Sequence, residues 1–157
     1  MKIIIVVIGK TDEAYLNTGI TKYHDRIKHY IPLEMKIIPD LKNTKSLSEE
    51  QQKNKEGELI LQQIQPTDEL ILLDEGGKDF SSRAFAGFME QKLLLGIKRI
   101  VFVVGGPYGF SDDVYNRATT KLSLSKMTFS HQMVRLIFAE QLYRAMTILK
   151  NQPYHHD

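Results

Sequence analysis

Gly105, Gly106 and Gly109, with Pro107 between them, give the chain a stretch of backbone that few side chains obstruct. Glycine leaves main-chain N–H and C=O groups open to a ligand that a Cβ would hold away. The five residues before them, 100–104, are all β-branched or aromatic and show no alternating polar face. That pattern predicts a strand buried on both sides, as in a parallel sheet. Open α/β sheets bind their ligands at the carboxyl ends of such strands. Two further loops, residues 74–78 (Asp-Glu-Gly-Gly-Lys) and 125–130, also follow predicted strands. In a parallel sheet all three leave the same edge and can converge on one ligand.

Spacing narrows what that ligand is. A phosphate-cradling P-loop ends in Gly-Lys-Ser/Thr, and residues 105–110 have no such ending. A dinucleotide fingerprint needs Gly-x-Gly-x-x-Gly opening a long helix, but Val104 stands at the first glycine and Pro107 stiffens the turn. What remains is a pocket of apolar side chains and free backbone donors, suited to an uncharged base such as adenine. Asp74 and Glu75 lie beside it, where an acid could meet a ribose hydroxyl or an amino group; a polar strand end explains them equally well.

The elements that must position these loops follow from periodicity. Lys2–Ile8 reads as a buried strand ended by Gly9. Leu16, Ile20, Tyr23, Ile27 and Tyr30 step at helical spacing and predict a helix over 14–30, closed by Pro32. Leu33–Ile38 forms a second strand. Residues 41–47 have no period; their lysines, Lys42 and Lys45, are solvated charges or contacts to RNA phosphates. Ser48 and Gln51 form a candidate capping box for a helix reaching about Ile64, apolar only at Leu59, Ile60 and Ile64. Its polar first half is expected to project from the body. A third strand spans 69–73. Ser81 or Ser82 caps a helix to about Leu95 with Phe85, Phe88, Met89 and Leu93 facing inward, and Gly96 ends it. After the glycine loop come a short helix from Asp112, a brief strand over 121–124, and a long helix, His131–Leu149, which Pro153 prevents from continuing. Alternating strands and helices predict one α/β domain over 1–157, with a mainly parallel sheet of about five strands and helices on both faces.

Composition adds bounds. The 157 residues suffice for a sizeable core, and 42% hydrophobic with 25% charged content is ordinary for a globular protein. No cysteine occurs, so disulfides, thiol nucleophiles and cysteine metal sites are excluded. The apolar first eight residues are too short to span a membrane and lack a cleavage pattern. A cytoplasmic protein without membrane or metal is expected. A net charge of +2 permits a nucleic-acid partner without demanding one.

Five segments carry a resemblance over the whole chain: LLDEGGK (72–78), VGGPYG (104–109), LSLSKMTFSHQMVR (122–135), EQLYRA (140–145) and NQPYH (151–155). In this order the sequence closely resembles the RlmH family of bacterial ribosomal RNA large-subunit methyltransferases, in the SPOUT superfamily of knotted, S-adenosylmethionine-dependent enzymes. Where that family often has proline before the histidine of the third segment, this chain has Ser130.

The resemblance implies a C-terminal trefoil knot, a rare exception to the rule against threading, built from the three loops. It implies a cofactor pocket for S-adenosylmethionine lined by Leu73, Gly105, Leu124, Ser125, Lys126, Met127, Thr128 and Phe129. It further implies a homodimer, with Met133, Val134, Ile137, Leu142 and Met146 of the last helix supplying much of the interface. The activity implied is methylation of N3 of a pseudouridine in large-subunit rRNA, inside the assembled 70S ribosome. Arg144, Tyr154 and His155 match the family's substrate and catalytic positions. A guanidinium holds phosphate or a base carbonyl, a tyrosine stacks on an unpaired base, and an imidazole can take the N3 proton or orient the base. His131 and Arg135, one turn apart, either contact RNA or pair across the dimer. Two other classes fit the residues alone: a non-catalytic ribosome- or RNA-binding module, and a nucleotide-binding enzyme of another kind.

Overall fold

The computed structural model describes all residues, Met1–Asp157. Five parallel strands run in the order β2-β1-β4-β3-β5: β1 Lys2–Ile8, β2 Leu33–Ile38, β3 Glu69–Asp79, β4 Arg99–Val104 and β5 Thr120–Ser123. Five helices connect them: α1 Ala14–Ile27, α2 Glu49–Leu61, α3 Ser82–Leu94, α4 Asp112–Arg117 and α5 His131–Leu149. Successive strand residues point to opposite faces, and here both faces are covered. Ile3, Ile5 and Val7 of β1 join a core with Phe85, Phe102, Phe138 and Leu142, under α1, α3 and α5. Ile4, Val6 and Ile8 join a second core with Ile60, Val103, Phe110 and Val114, under α2 and α4. The unalternating runs at 2–8 and 100–104 therefore do what they predict. No helix is long and apolar enough to cross a membrane.

Several boundaries differ from expectation, each for a local reason. α1 stops at Ile27, and residues 28–31 close in tight turns onto His24, Arg26 and Ile27 carbonyls, because Pro32 disfavours helical backbone in the residue before it. His24 rather than Tyr23 is the buried member of that stripe; Tyr23 and Tyr30 pack at the margin against the Tyr143 ring, 5.9 and 6.2 Å away. β3 does not end at Leu73. Its continuation, expected as a loop, pairs a second time with β5, Lys78 with Leu122 and Asp79 with Ser123, after an irregularity. Gly77 permits this: a Cβ there would lie 2.6–2.7 Å from Lys121 and Leu122 backbone atoms. β5 begins and ends one residue earlier than expected. On α3, Phe85, Ala86 and Met89 face inward, while Leu93 is exposed with Leu94 and Leu95. The α2 capping box forms as expected, with Gln51 N–H donating to Ser48 Oγ and Ser48 N–H to Gln51 Oε1, but the helix stops at Leu61. Its polar first half does not project freely, since Glu49 and Lys53 wall the cavity described next.

Candidate functional site

The carboxyl ends of β3, β4 and β5 open into a cavity of about 710 Å³, a size typical of small-molecule sites. Gly105 and Gly106 form its floor, and Gly106 accepts a hydrogen bond from the Gly109 N–H at 3.2 Å. Gly109 has a φ of +83°, the left-handed backbone that favours glycine. The Phe110 ring stands 3.0 Å from where a Cβ on Gly105 would be, so this position takes no side chain unless the ring shifts. Leu73, Leu124, Met127 and Phe129 supply apolar walls, with Ser125 and Thr128 beside them. Of the residues assigned to the pocket by resemblance, Lys126 alone is not on its lining; it is exposed on the outer side of the loop.

Side-chain bonds tie the end of β3 to the 125–130 loop and to α4. Thr128 Oγ1 donates to Glu75 Oε2 at 2.9 Å, fastening the 125–130 loop to the end of β3. Asp74 accepts the Gly76 N–H at 2.7 Å through Oδ1 and the Tyr115 hydroxyl through Oδ2. Burial, reinforced by that bond to Asp74, pushes the Tyr115 phenol up to about 12, so it remains a donor at neutral pH. Asp74 and Glu75 are thus already engaged in holding the cavity's shape. Ser130, standing where proline is common in the resembled family, caps α5 by accepting the Met133 N–H at 3.1 Å. No group of three or more histidine and carboxylate side chains is placed to hold a metal ion.

Arg135 is not a surface residue. It is 3% exposed and donates to Ile8 O (2.7 Å), Gly9 O (2.9 Å) and Thr11 Oγ1 (3.0 Å). It pins the start of α5 to the end of β1, which removes both roles open for it in the sequence, RNA contact and pairing across a dimer. His131, one turn earlier, lines the cavity. On the same helix Leu142 and Met146 are buried in the chain's own core, while Met133, Val134 and Ile137 stay half-buried.

The structure brings Arg144, Tyr154 and His155 together, away from the cavity. Glu140 is their hub: its Oε1 accepts from Arg144 Nη2 at 2.5 Å and from the Tyr154 hydroxyl at 2.9 Å. The Arg144 guanidinium lies 4.7 Å from the Tyr154 ring centroid, a cation–π distance. Burial, with hydrogen bonds to Tyr23 and Glu140, pushes the Tyr154 phenol well above its ordinary range. Arg144 Nη1 lies 3.2 Å from His155 Nδ1, and His155 Nε2 lies 3.0 Å from Asp157 Oδ1. Since guanidinium only donates, Nδ1 is the acceptor and the ring proton sits on Nε2, facing Asp157. Arg83 holds that carboxylate at 2.6 and 2.8 Å. None of the three lines the cavity, and Arg144 lies thirteen residue steps along α5 from His131, about 20 Å at the α-helical rise.

Residue-level reading of the sequence missed the α2 wall, the Glu140 hub and the Arg83–Asp157 anchor. Glu49 and Lys53 carry the one usable signal, a spacing of four that puts both on one helix face; the other two depend on tertiary contacts.

A family model described as "Predicted SPOUT methyltransferase" matches residues 1–155. A protein of Parabacteroides distasonis named ribosomal RNA large subunit methyltransferase H is 63% identical over 100% of both chains. Proteins of the same name from Christiangramia forsetii and Flavobacterium psychrophilum are each 62% identical over 99% of both chains. Matched from end to end at this level, this chain belongs to the SPOUT methyltransferases and, within them, to the ribosomal RNA large subunit methyltransferase H family.

Proposed function

We propose that the protein uses S-adenosylmethionine to methylate large-subunit ribosomal RNA, at N3 of a pseudouridine in the assembled ribosome, and that it works in the cytoplasm as a homodimer. The observation that carries this reading is the cavity: the carboxyl ends of β3, β4 and β5 give apolar walls and glycine backbone in a chain of a methyltransferase family. The residues fit the cofactor. Leu73, Leu124 and Met127 would pack on the faces of its adenine, and main-chain groups of the 105–109 and 124–129 segments would meet its polar edge. Thr128, bonded to Glu75, fastens the 124–129 segment to the end of β3. When bound, S-adenosylmethionine supplies a methyl carbon on a sulfonium, whose bond to sulfur breaks as the bond to N3 forms. The trefoil threading implied by the resemblance belongs to this proposal, with the same three loops forming it.

Glu140 holds Arg144 and Tyr154 side by side through one carboxylate oxygen. Arg144 would bind a base carbonyl or phosphate and stabilise charge developing on the base; Tyr154 would stack on it. His155 has its Nδ1 lone pair held by Arg144, so it becomes a proton acceptor for N3 once Arg144 turns to substrate. A distance of about 20 Å along α5 keeps this cluster from its own chain's cavity. The cluster therefore serves the cavity of a second copy, which is the function of the homodimer. The half-buried Met133, Val134 and Ile137 offer apolar surface for it.

The reading is tested by transfer of labelled methyl from S-adenosylmethionine to ribosomes lacking the modification, with free subunits and naked rRNA in parallel. Label at N3 of one pseudouridine, strongest on whole ribosomes, is expected. Specific cofactor binding without any transfer to RNA would leave only a binding module.

A further inference from the structure

Lys53 is the only lysine or arginine among the residues that line the cavity. It belongs to α2, the helix least expected to take part. The Ser48 capping box fixes where that helix starts, which places Glu49 in its first turn and Lys53 one turn on, both toward the cavity. The Lys53 side chain is 26% exposed, and its ammonium lies 3.1 Å from Glu50 Oε2. That partner is a surface neighbour three residues away, and such pairs are weak and readily exchanged. Glu49 has no hydrogen bond or ion pair of its own among those the chain makes, whereas the cavity's other acids, Asp74 and Glu75, are bonded to Tyr115, Gly76 and Thr128.

The cavity is thus asymmetric. Leu73, Leu124, Met127 and Phe129 make an apolar side with bare backbone, and α2 makes a side bearing one available cation and one available anion. A ligand with a flat base at one end and a zwitterion at the other matches that division. We propose that Lys53 is the carboxylate-binding residue for the amino-acid end of the cofactor, with Glu49 facing its ammonium. This rests on the S-adenosylmethionine reading above. In a recessed site a lysine–carboxylate hydrogen bond is stronger than the exposed pair it replaces, so Lys53 exchanges Glu50 for the ligand on binding.

Calorimetry on the full chain separates the two claims. The ligands are S-adenosylmethionine, its decarboxylated form, which keeps sulfonium and ammonium, and 5′-methylthioadenosine, which lacks the whole amino-acid end. Lys53→Met, which keeps the aliphatic stem, is expected to weaken S-adenosylmethionine about tenfold or more and leave the other two ligands unchanged. Lys53→Arg should retain most of the affinity. Equal losses for all three ligands would mean a general structural effect and overturn the assignment. So would unchanged cofactor affinity with a raised KM for ribosomes, which would give Lys53 to RNA phosphate. If the unmodified protein binds none of the three, the cofactor reading itself fails and the assignment with it.

Discussion

Two buried ionisable side chains, Glu56 and His24, set opposite pH demands on the fold. Glu56, 4% exposed, lies against Gly106, where a Cβ would come within 2.6 Å of its Oε1. That oxygen has no hydrogen-bond donor, and burial, with Asp40 nearby, raises the carboxyl above its ordinary range. A carboxyl raised by folding costs nothing when protonated in both states, and costs stability as pH rises past its unfolded value. Glu56→Gln should therefore match or exceed the parent in Tm at pH 7.5, with the difference vanishing below about pH 4.5. His24 runs the other way. Burial, then Lys28, lowers it to about 4, so it is neutral in the fold and its stabilising neutrality is lost as pH falls from about 6.5 toward 4. A depression of this size corresponds to about 3 kcal/mol across that window. His24→Leu should flatten the fall in Tm between pH 7 and 4.5; an unaltered slope would mean that other groups govern acid unfolding. Neither residue's role was legible from its type, since Glu56 sits in a polar helix and His24 among charged neighbours; only packing decides which turn faces inward.

At the scale of elements, legibility divided by whether the cause was local. β1, β2 and α5 have the expected ends because Gly9, Pro39, Ser130 and Pro153 punctuate them in sequence. The convergence of 74–75, 105–110 and 125–130 on one cavity was legible too, since parallel-strand hydrophobicity and the glycines after β4 are local signals, although 74–78 is strand where a loop was expected. The second pairing of β3 with β5 was not, because it depends on two strands meeting beyond an irregularity with Gly77 between them. A side chain at Gly77 would meet main-chain atoms that cannot step aside. Gly77→Ala is expected to cost about 2 kcal/mol or more by denaturant titration and to weaken cofactor binding, because the displaced strand carries Leu122 and leads directly into Leu124, both on the cavity wall. Gly19→Ala makes the contrast: its Cβ would meet only the mobile end of Leu136, 2.8 Å away, and alanine is the better helix former. Equal tolerance at both positions would show that the β3–β5 pairing is not needed.

For the whole molecule, the decisive relation is between the cavity at one end of α5 and the Arg144–Tyr154–His155 cluster toward the other. The glycine-bearing strand ends pointed to the first place and the family resemblance to the second, and neither could show that α5 holds them about 20 Å apart. A two-copy site turns this separation into a simple arithmetic of mixed dimers. A tail-defective chain, Arg144→Ala, keeps an intact cavity; a cavity-defective chain, Leu124→Arg, keeps an intact tail. Co-expressed with different tags and assorting at random, half of the dimers would be mixed, each with one complete site. The measurement is labelled methyl transfer from S-adenosylmethionine to ribosomes lacking the modification, by each variant alone and by the co-expressed pair, beside the unmodified protein. The proposal predicts near-zero transfer by either variant and recovery to about a quarter of the parent rate by the pair. Pair activity no higher than that of the variants alone, both still folded and dimeric, would contradict a site shared between copies.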